Sequence, residues 1–316
     1  MDLNLEYWQS NERTFLDRLR LWSKLLDPSC LTASDAEIEN ARGLLKSDTK
    51  QHEKDKVDHA WTLSLSSVHA DSGAPIPPVY RPQAFLPLAG PLVVGSLLPH
   101  KTVKSALFWH FMLHGYCAGF NHVNRNTTST PDHKTSTKQS FLIAGAAAYG
   151  MIAGAIPQVI VNRLNVIDPM ALTFCRTLLP IPISVLLAGY TLMVVRSEEI
   201  DKGIQVFDSN GNSVGLSKEA GYQAVFQTAI SRATLFGTTA ILPNVLIHYL
   251  RRANFFQRNP VIIAPVKHFS MIMVFGLMIP VSFSLFPQLG KIERRKLESD
   301  LQALTEDKQL FYHRGL

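Results

Sequence analysis

Residues Gln139–Asn162 read QSFLIAGAAAYGMIAGAIPQVIVN, a run of 24 residues without Asp, Glu, Lys or Arg. A helix needs about 20 apolar residues to cross a bilayer, so this run is long enough for one crossing. Gly145, Gly150 and Gly154 recur among its alanines, and small residues let helices approach closely in lipid. The run therefore predicts a membrane-spanning helix.

Five further stretches of 18 to 23 residues also lack charged side chains. They are Pro82–His100, Ser105–Asn124, Thr177–Val195, Ala233–Leu250 and His268–Gly290. Six such stretches in a chain with 18% charged residues exceed chance. The sequence thus predicts a mainly α, helical membrane protein with five spans, or six if residues 82–100 cross completely rather than form a buried or re-entrant segment. The prolines at 180, 182 and 243 should kink or break their helices.

Charge divides the chain into three expected parts. Residues 1–80 hold 9 Lys/Arg and 13 Asp/Glu, which predicts an N-terminal soluble or membrane-surface helical region. Residues 81–290 should form the transmembrane domain, and residues 291–316 a C-terminal tail. Residues 81–316 carry a net charge of +10, but their basic side chains sit beside apolar runs. That placement indicates membrane flanks rather than nucleic-acid binding.

An amphipathic helix is predicted from Thr14 onward. Phe15, Leu19 and Trp22 recur at three- and four-residue steps among charged positions. Asp27-Pro28 should end this helix, and the capping residues around Ser34 should begin a second one. The apolar face can pack on its own domain or lie on the membrane surface.

The longest polar connection, Arg196–Arg232, carries a hairpin signal. Ile204 and Val206 alternate with polar residues, and Asn210-Gly211 follows, a dipeptide typical of tight β-turns. A small β-hairpin is therefore expected in this loop. Basic residues number three in 125–138, four in 196–232 and four in 251–267, so their counts do not orient the molecule.

No residue pattern indicates an enzyme. His110 and His114 lie one helical turn apart, but no acidic residue shares their run, so polar lining is favoured over metal or haem binding. Cys30, Cys117 and Cys175 form no ligand pair. Walker, nucleophile-elbow and dinucleotide motifs are absent from the sequence. We therefore expect no catalytic residue, metal or cofactor.

Several segments together resemble the sideroflexin family of mitochondrial inner-membrane proteins. The segment at 69–73, HADSG, is similar to that family's H-P-D-T-G. The other matching segments occur in the family's order: Phe15 through Pro28, Arg196–Ile200 with Gly203-Ile204, Asp208 with Gly211-Asn212, Ser231-Arg232, Leu285–Gln288 and Phe311–Leu316.

The resemblance implies a multi-pass carrier of the mitochondrial inner membrane with about five spans. It implies transport of small neutral amino acids, serine best known among them, and no cleaved presequence, which agrees with the acidic start Met1–Glu6. In that compartment the sequon beginning at Asn126 should stay unglycosylated.

Departures from the family pattern alter the expected cargo. Ala70 and Ser72 replace the motif's proline and threonine, Thr191-Leu192-Met193 stands where the family has Asn-Ile-Pro, and an asparagine-rich span end is reduced. Serine itself is therefore a doubtful cargo. The chain looks most similar to the divergent fourth subgroup, which the resemblance ties to respiratory complex I assembly and to iron–sulfur and haem homeostasis. The alternative function is a non-transporting assembly factor that docks complex I assembly intermediates.

The resemblance also suggests roles for individual residues. The substrate-path candidates are Asn121, Asn124, Arg196 and Arg232. The residues interpreted as structural are His69, Asp71, Ser72, Gly73, Asp208, Gly211 and Asn212. Asp71 is expected to pin the entrance to the membrane domain rather than to touch cargo. The expected partners are the lipid bilayer, a small neutral amino acid and complex I assembly intermediates, without nucleic acid.

Overall fold

The computed structural model describes residues 3–10, 14–47, 53–127 and 136–316. The N-terminal helices are α1 (Leu3–Ser10), α2 (Phe15–Leu25), α3 (Asp35–Lys46) and α4 (Lys54–Ser67). Thr14 and Ser34 each accept a backbone hydrogen bond at the start of α2 and α3, in capping boxes with Asp17 and Glu37. The helices predicted after these caps are therefore confirmed. Thr128 of the sequon lies outside the described residues.

The apolar part of the chain is almost entirely helical. Its helices are α5 (Phe85–Leu97), α6 (Val103–Val123), α7 (Thr137–Gly154), α8 (Ile156–Arg163), α9 (Pro169–Thr173), α10 (Pro180–Val195), α11 (Ser197–Lys202), α12 (Lys218–Leu250), α13 (Asn254–Arg258) and α14 (Ile263–Ser284). Four continuous helical runs in the described residues are long and apolar enough to cross a membrane: 137–163, 169–195, 218–250 and 260–284. The prediction of a multi-span helical membrane protein is confirmed.

Two further segments complete the bundle. α6 has 21 residues, enough length for a crossing, but its polar side chains lower its hydropathy. α5 with its preceding turn, Pro82–Leu97, is shorter. At 1.5 Å per residue it spans about 24 Å, less than the roughly 30 Å hydrocarbon core. Residues 82–100 thus connect the two ends of the bundle through a helix that packs on α6 and is shorter than the other spans.

The N- and C-terminal parts of the chain meet at one end of the bundle. Arg18 Nε on α2 donates to the Ser284 carbonyl at 2.9 Å, and the Trp22 and Phe283 rings lie 5.0 Å apart. At the opposite end, the His100 amide donates to Gln158 Oε1 at 3.1 Å. Residues 98–104, 155–179 and 251–267 form this second end, here called the far end. Six apolar segments therefore connect the two ends.

Prolines shape two helices differently. A π-helical turn at Phe174–Leu178 precedes α10, which Pro180 begins, where the missing N–H costs little. α12 runs as one helix from Lys218 to Leu250 through Pro243, so of the predicted kink or break no break occurs there. Packing against α10 and α14 along its length holds this helix together despite one lost backbone hydrogen bond.

A four-stranded antiparallel sheet covers the end of the bundle opposite the far end, beside the N-terminal helices. Its strands are β1 (Ile204–Phe207), β2 (Ser213–Ser217), β3 (Leu289–Glu293) and β4 (Gln309–His313), in the order β2-β1-β4-β3, and α15 (Ser299–Gln302) lies between β3 and β4. The predicted hairpin is confirmed in β1 and β2, with Gly211 at φ +81° in its turn. Strands β3 and β4 were not predicted. They join the hairpin through the pair Val206 and Tyr312.

The sheet and the helices α1–α4 are here called the cap, and the main core lies where the cap meets the bundle. It is rich in aromatic side chains: Trp8, Trp22, Phe85, Phe120, Phe275 and Phe283. The outside of the bundle exposes large apolar residues such as Phe141, Leu186 and Phe269. Lipid is the environment that suits such a surface, which agrees with the membrane assignment.

Candidate functional site

A cavity lies at the centre of the bundle, between α5, α6, α8, α10 and α12. It leaves about 70 Å³ for the centres of water-sized molecules. One water position needs about 10–15 Å³ on this measure, so the cavity accommodates about five to seven positions of that size. That is the size of a small amino acid.

One face of α6 forms much of the cavity wall. His110, His114, Cys117 and Asn121 follow one another at three- and four-residue steps, which places them on the same side of the helix. The His110 and His114 rings lie 6.0 Å apart and nearly parallel. The structure therefore places both histidines in the cavity wall, as expected for polar lining residues.

Glycines of α7 make room for these two imidazoles. A Cβ at Gly150 would lie 2.5 Å from His114 Cγ, and a Cβ at Gly154 would lie 2.3 Å from His110 Nδ1. Either contact is too short for real atoms. The small residues that predicted close helix packing thus admit histidine rings from α6, which the sequence pattern did not reveal.

Arg232 on α12 reaches the cavity from the side of the cap. Its side chain is only 2% exposed, and its guanidinium carbon lies 4.6 to 5.4 Å from three ring centres. The rings are those of Phe85, Phe120 and Phe283. Within the described residues, Nε and Nη2 have no hydrogen-bond partner, and no carboxylate lies within ion-pair distance. The cavity therefore contains a buried cation that has no counter-ion among the described residues.

Asn121 supplies a hydrogen-bond acceptor in the same cavity. It is 5% exposed, and its Oδ1 finds no hydrogen-bond partner in the part of the chain that the structure describes. A guanidinium suits a carboxylate, while an amide oxygen suits an ammonium group. Together Arg232 and Asn121 provide what the two charged groups of an amino acid require.

The other two substrate-path candidates lie outside the cavity. Arg196 pairs with Glu199 at 2.7 Å, both side chains fully buried, and donates to the Arg314 carbonyl. Asn124 Nδ2 donates to the carbonyls of Tyr80 and Phe120 at 2.9 Å. The structure thus brings together Asn121 and Arg232, while Arg196 holds the C-terminal segment and Asn124 joins the end of α6 to the turn before α5.

The residues of the 69–73 motif form a closed turn before α5. His69 Nδ1 accepts from the backbone amides of Asp71 and Ser72, and Gly73 adopts φ +69°. Asp71 Oδ2 accepts from the Thr127 amide at 2.6 Å, just after α6. Burial lowers the pKa of His69 below its ordinary value of 6.5. The turn therefore ties the chain before α5 to the chain after α6.

The Asp208 motif forms the hairpin turn between β1 and β2. Asp208 Oδ1 accepts from the amides of Asn210 and Asn212 at 2.9 and 2.7 Å. Its other oxygen accepts from Asn212 Nδ2 at 3.1 Å. These residues lie in the cap and not in the cavity wall, so their contacts stabilise a turn.

Sequence reasoning missed the surroundings of Arg232 and the buried C-terminal segment. The three phenylalanines come from α5, α6 and α14, and no local pattern connects them. Arg314 is 1% exposed and donates to the Phe283 carbonyl at 3.0 Å. A buried arginine two residues from the end of the sequence gives no signal by spacing alone.

Comparison with known proteins identifies relatives over the whole chain. A family model described as Sideroflexins matches residues 2–316. Sideroflexin-4 of Danio rerio is 59% identical and Sideroflexin-4 of Homo sapiens 37% identical, covering 100% and 99% of this chain and 100% and 92% of the relatives. Sideroflexin-5 of Homo sapiens is 29% identical over 96% of this chain and 90% of its own. No solved structure matches the chain.

Proposed function

Because the chain belongs to the sideroflexin family and groups with its fourth subgroup, we propose that it is a transporter-like protein of the mitochondrial inner membrane that binds a small neutral amino acid in the central cavity. The observation that carries this proposal is the buried guanidinium of Arg232. A charge buried without a partner costs several kcal/mol. An incoming carboxylate would offset that cost through two parallel hydrogen bonds to Nε and Nη2.

The remaining polar groups favour a zwitterion over a simple anion. Asn121 Oδ1 is a free acceptor for an ammonium group among the described residues. The rest of the wall is largely apolar and, in the described part of the chain, contains no Asp or Glu side chain. A cationic side chain on the ligand would therefore find no counter-charge there, at a cost of several kcal/mol. A small neutral side chain meets no such penalty.

Uptake into proteoliposomes tests the proposal. We expect the purified protein to accumulate at least one radiolabelled small neutral amino acid, for example alanine, glycine or serine, above protein-free vesicles. Arg232→Gln and Asn121→Leu should each abolish that uptake, because they remove the carboxylate donor and the ammonium acceptor. Arg20→Gln, which changes an exposed arginine in the cap, is the matched control and should leave uptake unchanged.

The same assay distinguishes a transporter from the alternative function, a non-transporting assembly factor. An assembly factor for respiratory complex I would show no uptake of any amino acid tested, while its loss from cells would still deplete assembled complex I. That combination would overturn the transport proposal. Uptake lost in both cavity variants and kept in the cap variant would support it.

A further inference from the structure

The far end of the bundle is strongly basic. Its three segments hold eight Lys and Arg residues and one acidic residue, Asp168. The basic residues are Lys101, Lys104, Arg163, Arg176, Arg251, Arg252, Arg258 and Lys267. The far end thus carries +7, whereas the whole chain carries +6, which leaves −1 for the rest. The number of basic residues in each loop did not reveal this asymmetry, because only the fold shows which loops lie at the same end of the bundle.

These basic side chains are available to a ligand. All but Lys267 are exposed. Among the residues that the structure describes, none of the eight lies within ion-pair distance of a carboxylate. Asp168, the one acidic side chain present, accepts from the Ala171 amide at 2.7 Å and caps α9. The positive charge of the far end is therefore not neutralised within the described chain.

Large apolar side chains stand exposed among these charges. Leu164 is 71% exposed, Ile167 78%, Met170 82% and Val261 84%. Leu164 follows Arg163 directly, and Val261 comes three residues after Arg258. Basic residues interleaved with exposed apolar residues are typical of a surface at the boundary between lipid headgroups and acyl chains.

The position of these residues in the fold agrees with that boundary. Arg163 ends the helical run 137–163, and Arg251 directly follows the run 218–250. Ends of membrane-spanning helices lie at headgroup depth, where long basic side chains extend toward phosphate and apolar side chains enter the acyl region. Both kinds of side chain thus find a partner in the same molecule, a phospholipid.

We propose that the far end is a binding surface for anionic phospholipid headgroups. Phosphatidylcholine also contains a phosphate, but its choline neutralises the charge, so a surface with seven exposed basic residues and one acidic residue should select lipids with net negative charge. An acidic protein could pair with the arginines, but it would not explain why Leu164 and Met170 stand exposed among them. The anionic lipid accounts for both features.

Native mass spectrometry of the full chain in neutral detergent tests this surface. The probes are phosphatidylglycerol, phosphatidylcholine and inorganic phosphate. We expect the protein to retain bound phosphatidylglycerol and little phosphatidylcholine. Inorganic phosphate should not displace the bound phosphatidylglycerol. Each basic residue near a membrane surface is worth about fivefold in affinity, so R251Q/R252Q/R258Q should weaken phosphatidylglycerol binding about a hundredfold. Leu164→Ser with Met170→Ser should also weaken it, with charge unchanged.

The control is R20Q/K24Q/K46Q, which removes three exposed positive charges from the cap and should bind phosphatidylglycerol as the unaltered chain does. Arg-to-Lys replacement at 251, 252 and 258 keeps the charge and should retain binding, which separates charge loss from misfolding. The proposal would be overturned if the protein retained both lipids equally, or if the cap and far-end variants lost equal amounts of phosphatidylglycerol binding. Displacement of the bound lipid by millimolar phosphate or by a polyglutamate peptide would also overturn it.

Discussion

The guanidinium carbon of Arg232 lies 4.6 Å from the centre of the Phe283 ring, yet no carboxylate of the described chain pairs with it. A desolvated cation–π contact contributes about 2 kcal/mol. Burying an ion costs several kcal/mol. The aromatic rings therefore offset only part of the cost of holding this charge, and the unpaired charge persists next to a cavity where an anionic group can bind.

Replacing Arg232 by Met should leave the empty protein as stable as before, or raise its free energy of unfolding by about 1–4 kcal/mol, because an uncompensated charge is removed. Arg196→Met is the matched comparison. It leaves Glu199 buried without its partner and should cost about 3–5 kcal/mol. Thermal unfolding in detergent measures both. If Arg232→Met destabilises as strongly as Arg196→Met, Arg232 is structural and the cavity loses its carboxylate donor role.

Two glycines of α7 should not tolerate alanine. Gly150→Ala and Gly154→Ala place a Cβ within 2.5 Å of the His114 and His110 rings, so each should cost about 1–3 kcal/mol through overpacking. Gly145→Ala has nothing within 4 Å and should gain up to about 1 kcal/mol in helix propensity. The three melting temperatures test this order. A Gly145→Ala variant as unstable as the others would contradict the assigned packing of α6 on α7.

The sequence predicted what depends on local patterns. Charge-free length predicted the spanning helices, the residues around Ser34 predicted the start of α3, and Asn210-Gly211 predicted a turn. Contacts between residues far apart in the sequence could not be predicted from local patterns. The pairing of β1 with β4 joins residues about a hundred positions apart, and no local pattern connects the two strands. The contact between Arg232 and three phenylalanines depends equally on tertiary packing.

Stability should fall as pH drops below about 6.5. Burial lowers the pKa of His69 and, with the nearby charges of Arg196 and Arg314, the pKa of His313 below the ordinary value of 6.5. The unfolded chain then binds more protons than the folded chain, so stability is full above that pH and is lost progressively below it. Each histidine contributes a slope of up to about 1.4 kcal/mol per pH unit.

Melting temperatures between pH 7.5 and 5 measure this slope. His313→Gln should flatten it, because the group that resists protonation is gone. His59→Gln is the control, since it replaces an exposed histidine of α4. An unchanged slope in His313→Gln would show that other groups cause the acid sensitivity.

Both ends of the chain should lie on the same side of the membrane. Six apolar segments connect the cap to the far end, and α2 packs on the end of α14. In a background without native cysteines, Ser23→Cys and Ser209→Cys should react with a membrane-impermeant thiol reagent from one side. Gln257→Cys at the far end should react only from the other side. Labelling of Ser23→Cys and Ser209→Cys from opposite sides would require an odd number of passes.

Asp71 should affect folding rather than activity. Its Oδ2 accepts from the Thr127 amide at 2.6 Å and joins the segment before α5 to the segment after α6. Asp71→Ala removes the acceptor and should cost about 1–3 kcal/mol, because a partly buried amide loses its partner. The folded, membrane-inserted amount should therefore fall, while uptake per folded molecule stays nearly unchanged. Asp71→Asn keeps one acceptor oxygen and should fall less.

The matched control for Asp71 is Asp58→Ala, which removes an exposed carboxylate from α4 and should leave the folded amount unchanged. Quantitative immunoblotting of inserted protein and uptake in proteoliposomes give the two numbers needed. A role in binding cargo or a proton predicts the reverse pattern, because the turn would still fold without the carboxylate. Normal amounts of Asp71→Ala and Asp71→Asn with uptake abolished would therefore refute the structural role, whereas reduced amounts with normal uptake per molecule would establish it.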